Sequence, residues 1–173
     1  MNLVVRFESE RDYYQIKHIN DMAFGQENEG ILIENLRKNQ QYVNAISLVA
    51  EINDKLVGHI LFFPVQIANN EKIHQSLALA PMAVLPAYQN QGIGGELIRA
   101  GLEEAKDNGY KSAIVLGHKD YYPKFGFKMA KNWNIRAPYT VPLENFMAIE
   151  LVEKGLNYVS GTVRYPAEFN DVG

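Results

Sequence analysis

Leu79-Ala80-Pro81-Met82-Ala83-Val84-Leu85-Pro86-Ala87-Tyr88-Gln89-Asn90-Gln91-Gly92-Ile93-Gly94-Gly95 is the stretch that decides the fold. Its first half is apolar and reads as a buried strand, and its second half is a polar, glycine-rich turn. Beyond it the period changes: Ile93, Leu97, Ile98, Leu102 and Ala105 recur at helical spacing, and Asn108-Gly109 supplies a left-handed stop. The turn therefore opens a helix, where unpaired N–H groups and the positive end of the dipole attract phosphate oxygens. Glycines at 92, 94 and 95 remove the side chains that would hold a pyrophosphate away from the main chain. Two other phosphate signatures fail on register. A dinucleotide fingerprint beginning at Gly92 needs glycine where Leu97 stands, and the chain has no Gly-Lys-Ser/Thr loop.

Pro81 is a second sign. Proline in a central strand cannot donate a ladder bond, so a bulge or splay is expected there. Backbone groups left unpaired at a splay suit a ligand carrying its own amides, as pantetheine does. Lys111 to Leu116 reads as the next buried strand. Strand, helix and strand in succession imply a right-handed crossover and a parallel pair.

Upstream, Leu3 to Phe7 reads as a first strand. Ser9-Glu10-Arg11-Asp12 resembles a capping box opening a helix with apolar positions at Tyr13, Ile16, Ile19 and Ala23. A weaker helical pattern spans Glu29 to Lys38. Ile46 to Ile52 and Leu56 to Ile67 are strand-like, and the Asn53-Asp54-Lys55 break makes them a hairpin. Asn69-Asn70-Glu71 repeats the punctuation before a strand from Ile73 to Leu85. Downstream, Phe146 to Val152 and Tyr158 to Arg164 read as closing strands, and Ala137 to Pro142 as a surface loop. No linker or repeat divides the chain, so residues 1–173 are expected to form one domain.

Composition excludes several classes. A net charge of −3 leaves no basic footprint for nucleic acid or anionic lipid. The chain has no cysteine, which removes disulfides, thiolate metal sites and a cysteine nucleophile, and fits a reducing cytoplasm. No apolar run reaches the ~18 residues that would suit a bilayer span.

The run from Met82 to Gly94 resembles the acyl-CoA signature of the GNAT acetyltransferases, Arg/Gln-x-x-Gly-x-Gly/Ala at the start of a helix, with Gln89, Gly92 and Gly94 matching it. Leu116-Gly117-His118, Tyr122-Pro123-Lys124-Phe125-Gly126-Phe127 and Val159 to Pro166 further resemble the YhbS-like branch of predicted N-acetyltransferases. The resemblance implies a mixed α/β fold: a mostly antiparallel twisted sheet of about six to seven strands with a splayed parallel pair, flanked by about four helices. It implies acyl transfer, other than of aminoacyl groups, from acetyl-CoA to a primary amine of a small molecule or peptide. Direct attack in a ternary complex is the expected route, with no metal. Met82, Ala83 and Val84 would bond the pantetheine and acyl carbonyl, Asn90, Gln91, Gly92, Ile93, Gly94 and Gly95 would hold the pyrophosphate, and Gln89 would belong to the same cofactor site. A homodimer is compatible with this pattern.

The resemblance also puts Tyr122, four residues before Gly126, in the role of general acid; a phenol with an ordinary pKa of about 10 is protonated at neutral pH. Tyr121 is its rival. Many relatives carry asparagine seven residues before the tyrosine, where this chain has Val115, and no carboxylate lies between Leu79 and Val84. Candidate bases are His118, a loop histidine able to take or relay a proton, and Glu51, whose strand position offers partial burial. His59 and His74 read as structural. Two rivals stand beside this function: a non-catalytic acyl-CoA sensor or interaction module on the same fold, and a hydrolase or glycosidase-like enzyme using surface carboxylates.

Overall fold

The computed structural model describes residues 2–170. Nine strands and three α-helices follow one another: β1 (Leu3–Phe7), α1 (Tyr13–Phe24), α2 (Asn28–Arg37), β2 (Ile46–Ile52), β3 (Lys55–Ala68), β4 (Ile73–Val84), α3 (Ile93–Asp107), β5 (Ser112–Leu116), β6 (Lys128–Met129), β7 (Ile135–Arg136), β8 (Phe146–Glu150) and β9 (Gly161–Arg164). The strands exceed the expected six or seven because β6 and β7 are two residues each. The expected fourth helix is absent among the described residues, and short 3-10 turns such as Pro86–Tyr88 and Tyr122–Phe125 stand between the longer elements. No helix of the described residues is long and apolar enough to cross a membrane.

The chain forms two compact units, one from residues 2–62, Ala80–Gly101 and 166–170, the other from Phe63–Leu79 and Leu102–Tyr165. Strands β3 and β4 and helix α3 contribute residues to both.

In the first unit, β1 pairs antiparallel with β2, and β2 with β3, in the registers Val5↔Ala50 and Val49↔His59. Asn53 and Asp54 at the hairpin tip both have positive φ, 51° and 66°, the two-residue turn whose twist matches its strands. One face of this hairpin carries Ser47 and His59, with Glu8, just past β1, bonded to Ser47. Helix α1 covers it with buried Ile16, Ile19 and Asn20, and α2 adds Leu32, Ile33 and Leu36 to the core. The Ser9–Asp12 box forms, with the Asp12 carboxylate accepting the Ser9 N–H at 2.8 Å, but it opens a 3-10 turn that leads into α1. Tyr13, expected inside, is 37% exposed, with the Arg37 guanidinium stacked over its ring.

In the second unit, β4 runs parallel to β5 in the register Leu77↔Ala113 and Ala78↔Ile114, and this pairing stops short of Pro81. Strand β5 pairs antiparallel with β8, β8 with β6, β3 with β9, and β7 runs parallel to β9. Ile67, Ala78, Ile114, Ala148, Leu156 and Val163 form its core, with Trp133 and Tyr165 packed against it.

Candidate active site

The turn from Gln89 to Gly92 lies in the first unit. After β4 the Leu85 N–H donates to the Val57 carbonyl at 2.8 Å, and the Gln89 side-chain amide donates back to the Val84 carbonyl at 3.0 Å. These bonds fix the exit of the strand, so the Gln89 side chain fastens the turn. Gly92 accepts the Glu96 N–H at 3.1 Å, the first bond of α3, which leaves the N–H groups of Ile93, Gly94 and Gly95 ahead of the helical ladder.

Asn90 and Gly92 are both left-handed, at φ +63° and +86°. Nothing lies within 4 Å of the point where a Cβ on Gly92 would stand. A ligand can thus approach the main chain there, whereas a side chain would be strained by the backbone and would fill that approach. Gln89, Asn90, Gln91 and Gly92 are exposed, Ile93, Gly94 and Gly95 buried; on β4, Ala83 and Val84 are buried and Met82 half-buried. The donor set, main-chain N–H at a helix start, suits a pyrophosphate. Lys55 escaped the sequence reading: its ammonium lies 5.5 Å from the centre of the Tyr88 ring, adding a cation beside this turn. Its signal was the hairpin length, which brings the first residue of β3 toward the end of β4.

Glu51, also in the first unit, is held by Arg6, whose Nη2 lies 2.6 Å and Nε 2.8 Å from its Oε1. The same guanidinium binds buried Asp12 at 2.8 Å and 3.0 Å and holds that carboxyl down at about 2. Glu51 therefore belongs to a three-membered ion cluster that ties β1 and β2 to the turn before α1.

A buried polar row in this unit was read only in part. The Glu8 carboxylate accepts from Ser47 Oγ at 2.6 Å, Arg37 Nη2 at 3.2 Å and the Tyr42 hydroxyl. Ser47 Oγ lies 2.9 Å from His59 Nε2, and Asn20 Nδ2 reaches His59 Nδ1 at 3.5 Å while donating to the Ile16 carbonyl at 2.9 Å. His59 is fully buried; desolvation, with Arg37 nearby, pushes it down to about 3 and keeps it neutral. The structural role expected of His59 fits these contacts.

Tyr122 sits in the second unit on the 3-10 turn Tyr122–Phe125, after a loop organised by His118. The His118 carbonyl accepts the N–H of Tyr121 at 3.1 Å and of Tyr122 at 3.4 Å, and its Nδ1 accepts the Asp120 N–H at 3.2 Å. The His118 ring is thus part of the turn that presents Tyr122. The Tyr122 ring meets Tyr121 and Phe127 edge-on, at 5.2 Å and 5.7 Å between centroids. Burial, with a smaller contribution from Tyr121, pushes its phenol up to about 12, and its hydroxyl finds no hydrogen-bond partner among the described residues. A half-buried, protonated phenol with an idle O–H can donate to a negative atom. Elsewhere in this unit an open cavity of about 570 Å³, lined by Asn69, Trp133, Asn134 and Tyr158 among others, includes none of the expected site residues.

Comparison with known proteins places these features in a family. The model of the acetyltransferase (GNAT) domain matches residues 4–130. The uncharacterized N-acetyltransferase YjhQ of Escherichia coli is 38% identical over 135 residues, covering 78% of this chain and 75% of its own. A crystal structure of the GNAT family N-acetyltransferase YhbS from Escherichia coli in complex with CoA superposes with a TM-score of 0.92 at 28% identity, covering 100% of this chain and 94% of that one. A GNAT family acetyltransferase from Brucella melitensis, in complex with acetyl-CoA, gives a TM-score of 0.76 at 33% identity, covering 96% and 97%. With its family model spanning residues 4–130 and relatives named as N-acetyltransferases, the chain belongs to the GNAT acetyltransferase family.

Proposed function

We propose that this chain transfers an acetyl group from acetyl-CoA to a primary amine of a small molecule or peptide, by direct attack in a ternary complex, in the cytoplasm. One observation carries the cofactor assignment: an exposed, left-handed Gly92 with open space at its Cβ position, directly ahead of three N–H groups that α3 leaves free. Acetyl-CoA supplies the activated acyl group. The main chain of Ile93, Gly94 and Gly95 would hold the pyrophosphate, and that of Met82, Ala83 and Val84 would bond the pantetheine and polarise the thioester carbonyl.

The amine lone pair attacks the carbonyl carbon, the C–S bond breaks, and the departing sulfur takes a proton; amide and free thiol result. Tyr122 is the donor to that sulfur. The ammonium proton of the acceptor leaves to water, to His118 or to Glu51. The E. coli and Brucella neighbours crystallised with CoA and acetyl-CoA support the choice of cosubstrate.

The test is thiol release from acetyl-CoA across a panel of primary amines, including polyamines, aromatic amines, amino sugars and lysine-bearing peptides. Saturable, acceptor-dependent thiol production is expected. Binding of acetyl-CoA with no acceptor-dependent production at high protein concentration would make the chain a sensor instead.

A further inference from the structure

Gly117 is the first residue after β5, and its φ lies outside the left-handed region, so its backbone asks for no glycine. What asks for glycine is the neighbouring ring. A Cβ at 117 would stand 2.3 Å from Tyr122 Cε2, 2.9 Å from Cδ2 and 3.3 Å from Cζ. All three atoms belong to the same edge of the phenol, and the first two approaches are closer than real Cβ atoms make.

The backbone cannot yield to make room. The Gly117 N–H donates to the Asn145 carbonyl at 2.9 Å, and Leu116 is paired with Phe146 in the β5–β8 ladder. The ring cannot slide freely either. Phe127, only 2% exposed, and Tyr121 stand edge-on to it, and the N–H groups of Tyr121 and Tyr122 are tied to the His118 carbonyl. A methyl group at 117 must therefore swing the Tyr122 side chain and carry its hydroxyl away from its present place.

We infer that Gly117 is a positioning residue for the reaction: the absence of its side chain is what sets the location of the Tyr122 hydroxyl. This rests on the assignment of Tyr122 as proton donor to the departing sulfur. Gly117 touches neither substrate nor sulfur and acts only through the ring. A misplacement of about 1 Å in a catalytic group can cost up to about 10²-fold, so a single methyl is expected to remove much of what the hydroxyl contributes and no more.

The experiment compares Gly117→Ala, Tyr122→Phe and the double variant in acetyl-CoA thiol release with the best amine of the panel. Gly117→Ala should lower kcat by roughly 10-fold or more, up to but not beyond the loss in Tyr122→Phe, while the KM for acetyl-CoA stays within about twofold. In the Tyr122→Phe background the same substitution should change kcat by less than about twofold, because the group it displaces is already gone. An equal loss in both backgrounds, or an unchanged kcat in Gly117→Ala, overturns the role of Gly117 while leaving that of Tyr122 intact. An unchanged kcat in Tyr122→Phe removes the acid itself, and Gly117 with it.

Stability supplies a readout that needs no acceptor. If the ring is the obstacle, Gly117→Ala lowers the melting temperature of the wild type and leaves that of Tyr122→Ala unchanged. An equal drop caused by Gly117→Ala in both backgrounds places the clash elsewhere, and the inference is then wrong.

Discussion

Replacing Tyr122 by phenylalanine removes one oxygen whose environment is well defined. The phenol is held at about 12, chiefly by burial, while a thiol ionises at about 8.5. Complete proton transfer from this phenol to a free thiolate is therefore uphill by about 3.5 units, or about 5 kcal/mol. The proton moves only as the sulfur acquires charge, and the larger benefit is a hydrogen bond to that charge, of about 1.5–3 kcal/mol. Loss of the hydroxyl should then lower kcat by roughly 10- to 150-fold, toward the low end of the range for general acids.

The same structure says what should not change. The hydroxyl has no partner among the described residues, so Tyr122→Phe should keep or slightly raise the melting temperature and leave CoA affinity as it was. Initial-rate thiol release and calorimetric CoA binding measure the two sides. For the wild type, kcat should show no alkaline fall due to this phenol between about pH 7 and pH 10. Unchanged kcat in the variant, a fall accompanied by lost CoA binding, or a phenol limb near pH 10 would each refute the reasoning.

Other outcomes follow from the first unit. Asp12 is held near 2 by Arg6, below its ordinary 3.8, so its stabilisation is present above about pH 4 and lost as pH falls toward 2; Asp12→Asn should cost about 2 kcal/mol at pH 7 and almost nothing at pH 2, in denaturant melts. His59 is held near 3, below its ordinary 6.5, so the unfolded chain takes up the proton first. Stability should fall by up to about 1.4 kcal/mol per pH unit between about pH 6 and 3, and His59→Gln should flatten that limb. Because Arg6 grips Glu51, Glu51→Gln should lower the melting temperature and spare turnover; a turnover loss of about 10²-fold or more would identify Glu51 as the base.

Much of the fold was legible because its signals are local. Asn53 and Asp54 mark a hairpin by conformations few residues adopt, and Ile93, Leu97, Ile98 and Ala105, all buried, repeat with the helical period. Strands β6 and β7 left no such trace: two residues hold no periodicity, and their partners β8 and β9 are distant in sequence. The last strand begins at Gly161, later than expected, because Tyr158 takes a left-handed turn and is 93% exposed. Within the site, the glycine turn was readable because its chemistry is written in consecutive residues. The ion cluster of Arg6, Asp12 and Glu51, the row from Glu8 to Asn20, and the fit of Gly117 to Tyr122 were not. Each depends on side chains brought together by folding, and no spacing along the chain announces them.

The proposed activity depends on main-chain groups from Met82 to Gly95 gripping the nucleotide thioester. Calorimetric titration of CoA into the wild-type protein and into Gly92→Glu tests it most directly. Saturable binding by the wild type, abolished by a carboxylate placed at the open Gly92 position with its φ of +86°, is the predicted result. Equal binding by both proteins, or none by the wild type, would contradict it.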